Sequence, residues 1–162
     1  MLINFTQRQA VSAVFLVTLA TIIGAWLFQY AGYDPCYLCL LQRGAYYAAI
    51  PISMGLLLFA GRNATLLRNG LYLLGTIMLA SAIFGLYHAG IEWKWWLGPS
   101  TCTTGAMSLG LPDLTKPVVM CDEAAMRILG LSLAGWNAVI SIALSAIAFR
   151  SARNHGSSSV SQ

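Results

Sequence analysis

Four apolar stretches divide this chain. Residues 10–30 carry no charge. Residues 44–60 form a second stretch, and its helix is expected to start earlier, near Pro35. Residues 70–89 are interrupted only by His88, and residues 128–149 contain a single strongly polar side chain, Asn137. About 20 apolar residues are needed to cross ~30 Å of hydrocarbon as a helix. Backbone groups in lipid must be satisfied within the segment, and none of the stretches shows the two-residue alternation of a barrel strand. Spans are therefore expected over 10–30, 36–60, 70–90 and 128–149. The first stretch is too long for the apolar core of a signal peptide, and no small-x-small site closes it. The expected architecture is an all-α integral membrane protein: one domain over 1–162, a four-transmembrane-helix bundle. Its connections fall at 31–35, 61–69 and 91–127, and a Ser-rich tail at 154–162 is expected to be disordered.

Composition agrees with a membrane setting. Hydrophobic residues make up 58% of the chain and charged residues 9%, against roughly 25% charged in an ordinary soluble domain. Mean hydropathy is +0.70, which also excludes disorder over most of the length. The net charge of +4 comes from singly scattered basic residues, so no nucleic-acid patch forms.

The charges orient the bundle. Arg8, Arg62, Arg68, Arg150 and Arg153 lie at the termini and in the 61–69 connection, with no acid beside them. Arg43, Lys94, Lys116 and Arg127 lie on the other side, with Asp34, Glu92, Asp113, Asp122 and Glu123. Basic residues in short loops favour the cytoplasm, so both termini are expected there and the 31–35 and 91–127 loops outside, in the periplasm. Trp93, Trp95 and Trp96 follow the third span and read as an interfacial anchor.

All four cysteines then fall on the outer, oxidising side. Cys36 and Cys39 form a CxxC at the start of the second helix, and Cys102 and Cys121 lie in the long outer loop. Three readings compete. A four-cysteine zinc site prefers two close pairs, and there is only one. Two structural staples would make poor use of a CxxC, which closes almost no loop. Two redox pairs fit best, and no metal site is expected. Asp34 and Pro35 read as an N-cap followed by a first-turn proline, which would put Cys39 near the positive end of the helix dipole. Arg43, one turn on, would favour its thiolate. Cys36 is expected nearer water and Cys39 nearer lipid.

This division gives electrons a direction. The flexible Cys102/Cys121 pair can meet a soluble thiol protein, and the Cys36/Cys39 pair a lipid-soluble acceptor. No nucleotide-binding glycine motif and no haem CxxCH is present. The fitting two-electron acceptor in such a membrane is a quinone.

The segment Pro35-Cys36-Tyr37-Leu38-Cys39-Leu40-Leu41-Gln42-Arg43 resembles the P-C-x-L-C-x-x-x-R signature of the DsbB family of bacterial disulfide bond formation proteins. The resemblance extends over about residues 8–150. It implies an inner-membrane oxidoreductase that reoxidises a periplasmic DsbA-like dithiol oxidase and passes the electrons to quinone, ubiquinone ranking ahead of menaquinone. Cys102 resembles the cysteine that forms the mixed disulfide with DsbA, and Cys121 its partner. Cys36 resembles the cysteine that exchanges with the loop pair, and Cys39 the one that meets the quinone. Arg43 is similar to the quinone-site arginine. His88 resembles a histidine near the quinone, although alone it reads as an interfacial polar residue. A short surface helix implied between Cys102 and Cys121 has one candidate, 106–111. Two alternatives stand beside this reading. One is a vitamin K epoxide reductase-like enzyme, which would carry its CxxC late in the chain. The other is a small transporter or assembly subunit with inert disulfides.

Overall fold

The computed structural model describes residues 6–61, 63–99 and 120–154. Cys102, the 106–111 helix candidate and the tail from 155 onward lie outside the described residues.

Four long helices form a bundle: α1 (Gln7–Tyr30), α2 (Tyr37–Phe59), α3 (Ala64–Glu92) and α4 (Leu133–Asn154). α1, α3 and α4 are each long and apolar enough to cross a membrane. α2 has 23 residues but is less apolar, because Gln42, Arg43, Tyr46 and Tyr47 sit in its first half. Only 22% of the apolar window of α1 is buried by protein. Leu16, Trp26, Leu58, Phe59 and Ile83 all face outward, as expected for surfaces that lipid covers.

The helix ends are set by local chemistry. Thr6 and Gln9 form a reciprocal capping box at the start of α1. α1 ends in a Schellman turn: Gly32 (φ 96°) donates to Gln29 O and Tyr33 to Phe28 O, with Phe28 and Tyr33 in edge contact. Arg8 donates to the carbonyls of Leu57 and Gly61, meeting the exposed C-terminal carbonyls of α2. Asn63 caps α3 through a bond from Leu66 N, so this helix begins at Ala64, well before residue 70.

Two further boundaries differ from the sequence expectation. The N-cap of α2 is Cys36, whose Sγ accepts from Cys39 N at 3.2 Å. Asp34 and Pro35 precede it, outside the helix. α4 starts at Leu133 and not near 128, because Leu129 (φ 53°) and Gly130 (φ 84°) make a tight turn. That turn closes a two-strand hairpin, β1 (Arg127–Ile128) against β2 (Leu131–Ser132). Ser132 Oγ then accepts from Gly135 N at 3.1 Å, as an N-cap does.

The interior is layered along the bundle. One end packs Val11, Leu67, Leu71 and Ala148, and the middle packs Val14, Ala49, Leu74, Met78 and Leu144. The far end packs Cys36, Leu38, Ile91 and Cys121. α3 and α4 share the most extensive seam. On α4 the seam is a run of small buried side chains at alternating four- and three-residue steps: Ala134, Ala138, Ser141, Ser145, Ala148 and Ala152. Small residues let helix backbones approach closely where hydrophobic burial gains little over lipid. At Gly85 an added Cβ would lie 3.0 Å from Ala138 N and 3.2 Å from Ala134 O, both backbone atoms that cannot move aside cheaply.

Gly85→Leu should therefore overpack this seam and cost about 1–3 kcal/mol, lowering the thermal midpoint in detergent. Gly55→Leu, where nothing lies within 4 Å, should not lower it.

Candidate functional site

The first turn of α2, the last two turns of α3 and the start of α4 meet at one end of the bundle. Cys36, as N-cap, turns its sulfur inward and is buried (5% exposed), under Ile91 and beside Cys121. Cys39 is half-buried and lines a cavity of about 240 Å³. Cys36 is thus the less exposed of the two cysteines. Cys36 caps the helix from inside, and Cys39, three residues on, faces open space.

Both thiols are free, whereas Cys121 is held in a disulfide. Cys121 is brought over Cys36 by the 120–126 segment. Lys94 at the end of α3 bonds the Asp122 carboxylate. The Lys94 ammonium holds the Asp122 carboxyl below its usual range. That tie is present above the unfolded carboxyl pKa and is lost as pH falls through the lower folded value. Trp96 folds back on α3, its Nε1 donating to Tyr87 O and its ring stacked on Tyr87. Gly90 leaves room for that ring: a Cβ there would sit 2.1 Å from it. Trp96 is therefore packed against α3 as well as half-exposed.

His88 is the centre of the polar structure and is almost fully buried (1% exposed). Its Nε2 lies 3.6 Å from Cys36 Sγ and 3.9 Å from Glu92 Oε1, one turn on along α3. Gln42 Nε2 donates to His88 Nδ1 at 2.6 Å. Gln42 Oε1 in turn accepts from Asn137 Nδ2, and Tyr46 OH donates to Asn137 Oδ1. Ser81 and Ser141 complete the cluster, 3.1 Å from each other and each bonded to Asn137 Oδ1. With the amides in this orientation Nδ1 accepts from Gln42, so the hydrogen sits on Nε2 and points at the Cys36 sulfur. The ring can donate to a Cys36 thiolate.

Arg43 goes elsewhere than expected. Its Nη1 donates to Gln29 Oε1 at 2.8 Å and its Nη2 reaches Ala25 O at 3.4 Å, both on α1. The sequence placed it on the Cys39 face of α2 but could not show that α1 packs against that face. It still lines the Cys39 cavity, with Gln42, Tyr46 and His88. The other walls are mainly apolar, including Ile22 and Phe28 of α1 and Leu133 and Ile140 of α4. An apolar hollow with a few convergent polar groups is the usual form of a small-molecule site.

Sequence reasoning missed Gln42, Tyr46, Ser81, Glu92 and Ser141 as parts of this centre. One signal was present: Asn137 is a polar side chain inside a span, and such residues face the bundle interior and mark function.

This is a helical membrane bundle with a free dithiol at one end, one sulfur buried and the other half-buried. The family model for "Disulfide bond formation protein DsbB" matches residues 7–150. The chain belongs to the DsbB family and is a disulfide bond formation protein of the membrane. A "Disulfide bond formation protein B" from Albidiferax ferrireducens is 30% identical over 140 residues, 76% of each chain. "Uncharacterized protein RP370" of Rickettsia prowazekii is 27% identical over 158 residues, 89% of each chain. No solved structure gives a significant match.

Two outcomes follow from the geometry. In reduced protein in detergent, mass-resolved maleimide labelling should modify Cys39 faster than Cys36. Asn137→Leu leaves Gln42 Oε1 and the Tyr46 hydroxyl without their partner, which should cost about 1–3 kcal/mol and lower the thermal midpoint.

Proposed function

We propose that this protein is a quinone-linked thiol oxidase of the bacterial inner membrane that reoxidises a periplasmic DsbA-like dithiol oxidase. The observation that carries this reading is the position of Cys36 and Cys39. One thiol packs against Cys121, and the other opens onto an apolar cavity that Arg43 also lines. Such a pair has one neighbour for thiol exchange and another for a lipid-soluble oxidant. In this reading α2 crosses the membrane with the other three helices, the termini are cytoplasmic, and the cysteines lie at the periplasmic end.

The cavity suits a quinone ring. Its walls are apolar, and the Arg43 guanidinium keeps donors beyond those given to Gln29 and Ala25. Arg43 and Cys39 would hold the ring, with His88 beside them. When bound, the quinone supplies the two-electron oxidant that re-forms the Cys36–Cys39 disulfide.

The chain's own residues account for the remaining steps. A thiolate of the reduced partner attacks Cys102 of the Cys102–Cys121 disulfide, and Cys121 leaves. The partner's second thiol then displaces Cys102, so the partner departs as a disulfide and the loop keeps two thiols. A loop thiolate next attacks Cys36 in the Cys36–Cys39 disulfide, and Cys39 leaves into the cavity. The second loop thiol resolves that mixed bond, restoring the loop disulfide and leaving Cys36 and Cys39 as thiols. The free Cys36 and Cys39 and the disulfide-bonded Cys121 match the redox distribution at this stage. His88 donates its Nε2 hydrogen to the Cys36 sulfur and so stabilises that sulfur as a thiolate while the pair is reoxidised.

Arg43→Ala should raise the KM for a soluble quinone analogue about tenfold or more, the loss of one bond to a charged donor. Exchange between the reduced partner and the loop pair should persist. Arg43→Lys should recover part of the affinity, since it keeps the charge but not the fork. Unchanged quinone kinetics in Arg43→Ala would remove the cavity from the mechanism. Cys102→Ala should abolish oxidation of the soluble partner while Cys36 and Cys39 still reduce the quinone analogue.

A further inference from the structure

Cys36 Sγ, Cys39 Sγ and a His88 ring nitrogen all lie within 4.8 Å of one another. The Cys36 Sγ to His88 Nε2 separation is 3.6 Å. Two ligands of a tetrahedral zinc ion, at the usual Zn–S and Zn–N bond lengths, stand about 3.6 Å apart. Beside them Glu92 is buried, with only 6% of its side chain exposed. Its Oε1 lies 3.9 Å from His88 Nε2 and its Oε2 has no hydrogen-bond partner among the described residues. A buried carboxylate oxygen without a partner is costly and calls for a cation or a donor close by.

We propose that the reduced Cys36/Cys39 pair, His88 and Glu92 form a binding site for a thiophilic divalent cation, with zinc the best fit. Two sulfurs, one imidazole and one carboxylate match its preference for tetrahedral S and N donors, with oxygen accepted. Binding changes no oxidation state. The two thiols lose their protons to solvent as two metal–sulfur bonds form, and the unpaired Glu92 oxygen gains its partner.

His88 must offer Nε2 without its hydrogen, and the polar cluster permits this. If Gln42 and Asn137 each turn their amides over, Gln42 Oε1 accepts from Nδ1–H and Gln42 Nε2 donates to Asn137 Oδ1. Asn137 Nδ2 then faces the hydroxyls of Tyr46, Ser81 and Ser141, which can accept. Every member of the chain is an amide or a hydroxyl, so its direction reverses without displacing a helix. A ring N–H held by an outer oxygen is how metal-bound histidines are oriented.

The site exists only while both sulfurs are thiols. A bound ion would therefore keep the pair reduced, and a Cys36–Cys39 disulfide would exclude the ion. This goes beyond the quinone reading and does not depend on it.

The test uses the full-length protein in detergent, reduced with a phosphine, freed of reductant and titrated with Co²⁺ and Zn²⁺. One equivalent of Co²⁺ should give thiolate-to-metal absorption that Zn²⁺ displaces. Protein with Cys36–Cys39 oxidised should give none. Zn²⁺ should also slow disulfide formation at this pair by diamide, a reading that needs neither quinone nor partner. Glu92→Gln, nearly isosteric, should weaken binding at least about tenfold, and His88→Ala and Cys39→Ser should abolish the absorption. The proposal is overturned if reduced protein with both thiols titratable binds no metal. It is equally overturned if the oxidised pair binds as well, or if Cys39→Ser and Glu92→Gln bind as the parent does.

Discussion

His88 is a titratable ring almost wholly removed from water, and its two nitrogens must both be satisfied from within the bundle. Nδ1 is met by Gln42 and Nε2 faces Cys36 and Glu92. Meeting that requirement ties three helices together at one level: Gln42 and Tyr46 from α2, Ser81 from α3, Asn137 and Ser141 from α4. Gln42 carries the network on to Asn137 of α4, which lies close against α3 because Gly85 has no side chain there. Packing and polar chemistry are therefore one design: the close approach makes the hydrogen bonds possible, and those bonds give the apolar bundle a fixed register at that level.

The same level separates two environments for two cysteines that are neighbours in sequence. Cys36 spends its sulfur on the N-cap and is covered by the segment that carries Cys121. Cys39 sits inside the first turn and meets the cavity. A helix start is well suited to this, because two side chains three positions apart differ there in both burial and partner. In the proposed reaction that difference divides the work: exchange on the covered sulfur, electron release on the open one.

Much of this was legible in the sequence. The apolar runs and the CxxC beside an arginine come directly from residue type and spacing. Arg43 was singled out from its spacing to Cys39 and His88 through the family resemblance, and both line the Cys39 cavity. The details that escaped have physical causes. A thiol can serve as an N-cap, so the Asp34-Pro35 pattern gave way to Cys36. The left-handed pair Leu129 and Gly130 broke an apolar run that looked continuous and moved the start of α4 to Leu133. The bond between Gln42 and Asn137 joins positions 95 residues apart, and no local pattern encodes such a contact. The partner of Arg43 was hidden for the same reason, because a helix face is readable while the helix that packs on it is not.

The most direct measurement is of electron stoichiometry in the purified protein. Reduced DsbA-like dithiol oxidase and a soluble quinone analogue are supplied together without oxygen, and thiol loss and quinone reduction are followed in parallel. The proposed function predicts one quinone reduced for each disulfide formed, with no turnover when Cys39 is replaced by serine. Disulfide formation at an unchanged rate without quinone, or quinone reduction that persists in Cys39→Ser, would contradict it.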